Sequence, residues 1–230
     1  MSLRLEREIE RLKYKILEVG ALVEQAIRYA VISIDDGDAE AAKKVLTGDT
    51  RIDEMEVLLE EECLKILSLH QPVSDHLRLI IAVMKINEGL ERMGDLAVNI
   101  AERALYLTTK ATMTPPFNLS KMESSVQAMV KRSLDALVHQ DEAFARRVIQ
   151  QDDEIDEMNR QNYAAAIKEM KENPDKAARL MHYVSVSSQL ERISDLATNI
   201  AEDVIYLVTG EIVRHKAKEA AESAADEMYS

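Results

Sequence analysis

The tightest constraint on the fold is an internal repeat. Ile86-Asn-Glu-Gly-Leu-Glu-Arg-Met-Gly-Asp-Leu-Ala-Val-Asn-Ile-Ala-Glu102 recurs as Val186-Ser-Ser-Gln-Leu-Glu-Arg-Ile-Ser-Asp-Leu-Ala-Thr-Asn-Ile-Ala-Glu202, 100 residues on. Upstream, Ile52-Asp-Glu-Met55 recurs as Ile155-Asp-Glu-Met158, and Asp38, Val45 and Asp49 correspond to Asp141, Val148 and Asp152, 103 residues on. The change of spacing places a longer loop around Leu69–Asp75 in the first copy. A duplicated unit of this size is one helical assembly built twice. The material is helix-forming, because 230 residues contain only 6 Gly and 4 Pro, and 47% are hydrophobic. The expectation is an all-α chain of two tandem three-helix bundles.

The helices follow from apolar spacing. Leu5, Ile9, Leu12, Ile16, Val19, Val23, Ile27 and Val31 recur every three or four residues, a one-faced stripe that predicts a helix from about Leu3 to Ile34. Asp35-Asp-Gly-Asp38 breaks it, and Asp38 is placed to cap a short helix over Ala39–Leu46. Gly48-Asp49 is read as opening the next helix, and Gln71-Pro72 as ending it, because a residue before proline disfavours helical geometry. A long helix then covers about Ser74 to Thr109. Two prolines make Thr112–Asn118 the linker, so the domains are expected at 1–113 and 114–230. The second half repeats the order: Val126–Val138, Ala143–Ile149, a helix opening at Asp152 and broken at Asn173-Pro174, and a long helix to Val208 with Gly210 as its stop. The tail Glu211–Ser230, rich in Ala, Glu and Lys, reads equally as a continued helix or a frayed end.

Phosphate-backbone binding needs a basic face, and at a net charge of −13 nucleic acid is not an expected partner. The longest apolar run, Leu79–Met84, is far short of the roughly 20 residues of a membrane span. The first residues are charged at every turn and do not read as a signal peptide. Cys63 is the single cysteine, so no intramolecular disulfide can form, which fits a reducing cytoplasm.

The repeated segments carry oxygen ligands. With about 100° of turn per residue, Glu91, Asp95, Asn99 and Glu102 fall within an arc of roughly 80°, and Glu88 joins them. Glu191, Asp195, Asn199 and Glu202 repeat the column. The preceding helices add Asp49 with Asp53, and Asp152 with Asp156, each pair four residues apart on one face. Like charges at that spacing weaken a helix unless something neutralises them, and carboxylate and amide oxygens suit hard cations. A single acidic pair of this kind is ordinarily a solvated face; two pairs per bundle, duplicated, point to two related metal sites. None of His70, His76, His139, His182 and His215 has Glu three residues before it, so the Glu-x-x-His ligand pattern of ferritin-like di-iron enzymes is missing. There is no phosphate-binding Gly-rich loop and no nucleophile elbow. Cys63, Met55, Met93, Met158 and Met181 read as packing residues, and Arg92 and Arg192 as partners of nearby carboxylates.

Leu90-Glu-Arg-Met-Gly-Asp95 with Asn99-Ile-Ala-Glu102, and Leu190-Glu-Arg-Ile-Ser-Asp195 with Asn199-Ile-Ala-Glu202, resemble the PhoU family of phosphate-uptake regulators. Val45-Leu-Thr-Gly-Asp49, the Gln71-Pro72 break and Tyr206–His215 add to the match. The resemblance implies two three-helix bundles with pseudo-twofold symmetry. It implies a non-enzymatic, often dimeric negative regulator, peripheral to the membrane, linking the Pst phosphate transporter, through its ATPase subunit, to the sensor histidine kinase PhoR. It also implies multinuclear metal clusters, iron foremost, with zinc, nickel, manganese, magnesium or calcium as alternatives. The motifs that would hold them are Asp49/Asp53 with Glu91/Asp95, and Asp152/Asp156 with Glu191/Asp195. A carboxylate-bridged di-metal enzyme or a metal store is the alternative reading. The copies are unequal: Glu56 becomes Asn159, Glu88 becomes Ser188, and Gly94 becomes Ser194. The first site therefore carries more charge and is expected to bind metal more tightly.

Overall fold

A computed structural model describes residues 3–110 and 113–211. Among them are six long α-helices: α1 (Leu3–Asp35), α2 (Ala39–His70), α3 (Ser74–Thr108), α4 (Leu119–His139), α5 (Glu142–Glu172) and α6 (Ala177–Thr209). A 3₁₀ turn, Pro174–Lys176, precedes α6. The α1 stripe is buried along its length. Helices α1 to α3 pack on one another, α6 packs on both α4 and α5, and α3 and α1 join the halves by packing on α6 and α4. One apolar core runs through all six helices. Its largest members, including Leu12, Ile16, Leu59, Leu90 and Met93, are almost wholly out of water, each contributing about 1.5–3 kcal/mol by burial.

The helix ends show why the chain turns where it does. The Asp38 carboxylate accepts from the N–H groups of Glu40 and Ala41, and the Asp141 carboxylate accepts from Phe144 N–H. These bonds satisfy donors that a helix start leaves open. Gln71 and Gly210 adopt left-handed backbone just past their helices, φ 44° and 75°, a conformation that suits Gly210 at no steric cost.

Four expectations change. Ala39–Leu46 is not a separate short helix; α2 runs unbroken through Gly48. An interior glycine costs only about 1 kcal/mol, and Val45 and Ile52 on either side are both buried. In the same way α5 is continuous through Asp152. Helix α4 begins at Leu119, seven residues before Val126, because Leu119 and Met122 are themselves buried and Asn118 caps the start. Met181 is 57% exposed rather than a core residue. The tail beyond Glu211 lies outside the described residues.

The α3–α6 contact is antiparallel. Lys85 Nζ lies 3.7 Å from the Asp203 carboxylate, and the Tyr106 and His182 rings stack with centroids 4.1 Å apart. Both α3 and α6 also pack on the acidic helix of their own half.

Candidate metal centres

In the second half, α5 and α6 place three carboxylates together. One oxygen each of Asp152, Asp156 and Asp195 lies within 4.8 Å of the other two. Asp152 and Asp156 share a face of α5 because they are four residues apart. Three oxygens at that spacing lie within about 2.8 Å of a common centre, a small closure from the roughly 2.0–2.6 Å that hard cations take. Burial first, then the charges of Asp195 and Asp156, push the Asp152 carboxyl up to about 6, while the hydroxyls of Ser194 and Thr198 oppose the shift. Asp152 Oδ1 is buried with no hydrogen-bond partner among the described residues. A part-buried carboxylate amid like charge, with only the Ser194 and Thr198 hydroxyls to set against it, is the environment a cation relieves, so these residues fit a metal. Glu191 is also raised, by burial and then by Asp156, against the pull of Arg192.

The first half is wider and more charged. Burial raises Asp49, with Asp53 and Asp95 adding to it. Glu91 is raised by burial, then by Asp95, Asp53 and Glu56. Glu56 responds to burial first, and then to Glu60, Asp53 and Glu88. Seven carboxylates, Asp49, Asp53, Glu56, Glu60, Glu88, Glu91 and Asp95, therefore contribute to the repulsion between α2 and α3. Glu56 extends the Asp49/Asp53 stripe by three residues, a spacing visible in the sequence; its counterpart Asn159 instead accepts a hydrogen bond from Ser187. Gly94 lets the helices approach here: a Cβ on it would stand 3.1 Å from Ile52 and 3.6 Å from an Asp49 oxygen. Ser194 in the second copy turns its hydroxyl back to donate to the Glu191 carbonyl at 2.6 Å.

The sequence columns divide between two places. Asn199 and Glu202 line a cleft of about 450 Å³ between α3 and α6, with Lys85, Glu88, Arg92 and Asp203. They face α3 rather than the α5 carboxylates. Glu88 accepts from Arg92 in this cleft. Asn99 is half-buried and Glu102 exposed. The compact acidic group contains no histidine; His70 bonds Glu8, His139 bonds the Asp135 carbonyl, and His182 stacks on Tyr106.

Comparison with known proteins agrees with this architecture. The family model described as the PhoU domain matches twice, at residues 16–104 and 119–204. The chain is 38% identical over 214 residues to the phosphate-specific transport system accessory protein PhoU homolog of Aquifex aeolicus, covering 93% of this chain and 97% of that one. It is 37% identical over 220 residues to the homolog of the same description from Pseudomonas aeruginosa, covering 94% and 89%. The crystal structure of PhoU from Pseudomonas aeruginosa superposes with a TM-score of 0.84 at 36% identity, over 90% of this chain and 99% of that one. The phosphate transport system regulatory protein PhoU of Streptococcus pneumoniae superposes at 0.83 with 28% identity, over 91% and 99%.

Proposed function

This chain belongs to the PhoU family, and from that premise we propose that it is a non-catalytic, metal-binding negative regulator of phosphate uptake. In this reading it works from the cytoplasm as a homodimer. It joins the phosphate transporter, through the transporter's ATPase subunit, to a sensor histidine kinase. The observation that carries the metal part is the Asp152–Asp156–Asp195 group with its orphaned buried oxygen. Asp152, Asp156, Glu191 and Asp195 would hold one centre, and Asp49, Asp53, Glu91 and Asp95, joined by Glu56, the other. The family resemblance puts iron first, with manganese, magnesium, calcium, zinc and nickel as alternatives; the all-oxygen donors suit hard ions as a class. Asn99, Glu102, Asn199 and Glu202 extend the columns toward the α3–α6 faces. Metal held by these carboxylates would neutralise the columns, so that the acidic helices could meet a partner.

The accessory role is supported by the relatives' descriptions as phosphate transport accessory proteins. Among the described residues no helix is long and apolar enough to cross a membrane, in keeping with membrane attachment through partners. The test is elemental analysis of protein purified without chelator, beside a variant with Asp152, Asp156 and Asp195 changed to Asn and Glu191 to Gln. The same proteins go into pull-downs with the transporter ATPase and the kinase. Metal bound by the native chain and lost in the variant supports the reading. A chain that carries no metal, or that binds neither protein, refutes the corresponding half of it.

A further inference from the structure

The two ends of the α3–α6 crossing are related by the repeat, and only one of them is electrically closed. At one end the Asp203 carboxylate, almost fully buried, faces Lys85. At the other end the residue corresponding to Asp203 is Arg103, and the residue corresponding to Lys85 is Ser185. The register set by Lys85–Asp203 and Tyr106–His182 puts Ser185 opposite Arg103. A charged side chain therefore faces a short neutral hydroxyl where its twin faces an ion partner.

Arg103 shows the consequence. It is half-buried, its Nε is fully buried without a hydrogen-bond partner, and it forms no ion pair among the described residues. A guanidinium is always charged, and a partly desolvated one calls for a carboxylate or an oxyanion. The surroundings supply donors. Arg103, Tyr106 and Lys110 are spaced i, i+3 and i+7 on α3, and His182, Ser185 and Gln189 are spaced the same way on α6, so each set lies along one helix face. Lys110 Nζ sits 4.9 Å from the Tyr106 ring centroid. The Gln189 Oε1 is buried and unpartnered; turning the amide by half a rotation presents its N–H₂ instead. Neither stripe carries a carboxylate, in a chain whose net charge is −13.

We propose that Arg103, Ser185, His182 and Gln189 form a binding site for a small tetrahedral oxyanion, inorganic phosphate first among them. Arg103 would supply a two-pronged contact, Ser185, short and neutral, a hydroxyl donor, and His182 and Gln189 the flanking groups. The site needs no metal: Glu102, the column member next to Arg103 in sequence, is exposed, whereas the Arg103 Nε is buried. Burial and the neighbouring Arg103 hold His182 below its ordinary range; an anion between them reverses the second of these effects.

The test is equilibrium dialysis of the full chain against labelled inorganic phosphate, at low ionic strength and with chelator present so that no metal bridges phosphate to the columns. Saturable binding of one phosphate per chain is expected, with competition by sulfate. Arg103→Gln weakens it at least about tenfold, and Lys85→Gln, at the far end of the same helix pair, leaves it unchanged. Ser185→Asp gives Arg103 a carboxylate of its own, so it abolishes binding and raises the thermal midpoint. By NMR, phosphate raises the titration midpoint of the His182 ring in the native chain and not in Ser185→Asp. No saturable binding at millimolar phosphate, or equal binding by Arg103→Gln, overturns the proposal. Unaltered phosphate binding by a well-folded Ser185→Asp chain overturns it as well.

Discussion

Asp152→Asn gives a test in which one substitution must act in opposite directions on the apoprotein and on metal binding. The folded chain holds Asp152 at about 6 against an ordinary 3.8, through burial and then the charges of Asp195 and Asp156. A shift of about two pH units corresponds to roughly 3 kcal/mol. Asp152 is only partly buried, and solvent screening reduces this to about 1–2 kcal/mol. The sign follows from linkage: the folded state prefers the neutral acid, so the stability tied to Asp152 is fully present below 3.8 and is lost as pH rises through 6. Asparagine is neutral at every pH and can donate its N–H₂ to Asp156 or Asp195. In chelator, denaturant melts at pH 7.5 should therefore show the variant more stable by about 1–2 kcal/mol, and at pH 4 most of that gain should be gone. Metal titration should run the other way, with the variant binding more weakly because an anionic ligand has been removed. An unchanged or lower apoprotein stability at pH 7.5, or the same gain at both pH values, would refute the account of Asp152 as a strained, cation-seeking carboxylate.

Three further outcomes are expected. Asp95→Ala should lower metal affinity more than Asp195→Ala by calorimetric titration, because the first site carries more charge; equal losses, or a larger loss at Asp195, would refute this. Burial, with Glu60 adding to it, pushes the Cys63 thiol up to about 12, so a thiol reagent at pH 8 should label it only at the rate of global unfolding, and fast labelling of folded protein would contradict its packing. Asn162 is buried and donates to Ser187 Oγ at 2.9 Å, while Ser187 donates to Asn159 at 2.7 Å. Asn162→Ala should cost about 1–3 kcal/mol in denaturant melts by stranding the Ser187 group, and a cost near zero would show that the network contributes nothing net.

Much of the fold was legible because the α1 stripe and the repeat depend on spacing alone. Every apolar position of that stripe is buried, and the repeat carries the same three-helix order in both halves. What spacing could not show is how far a helix continues. Gly48 read as a boundary, yet the burial of Val45 and Ile52 on either side outweighs its propensity cost of about 1 kcal/mol. The carboxylates were legible as columns, but an angle about one helix axis says nothing of which neighbour stands opposite at each height. Glu191 and Asp195 lie where α6 runs beside α5, whereas Asn199 and Glu202 lie where it faces α3. The buried Asn162–Ser187 bond was hidden for a similar reason, because the first-copy counterpart of Asn162 is the wholly buried Leu59.

The duplication also explains why one chain can present unlike sites on like helices. Backbone geometry is set by the apolar positions, and these are held in both copies: Leu90 and Leu190, Ala97 and Ala197, Ile100 and Ile200 are all buried. Residues on the other faces are free to diverge without altering the frame. Glu56 against Asn159 and Glu88 against Ser188 leave the second copy with fewer carboxylates, and there Asp152, Asp156 and Asp195 lie close together. Lys85 against Ser185 and Asp203 against Arg103 turn a closed ion pair into an open cation. A symmetric duplicate would offer the same surface twice and serve two copies of one ligand. Divergence at positions outside the shared core instead gives chemically unlike groups at equivalent places on one shared frame.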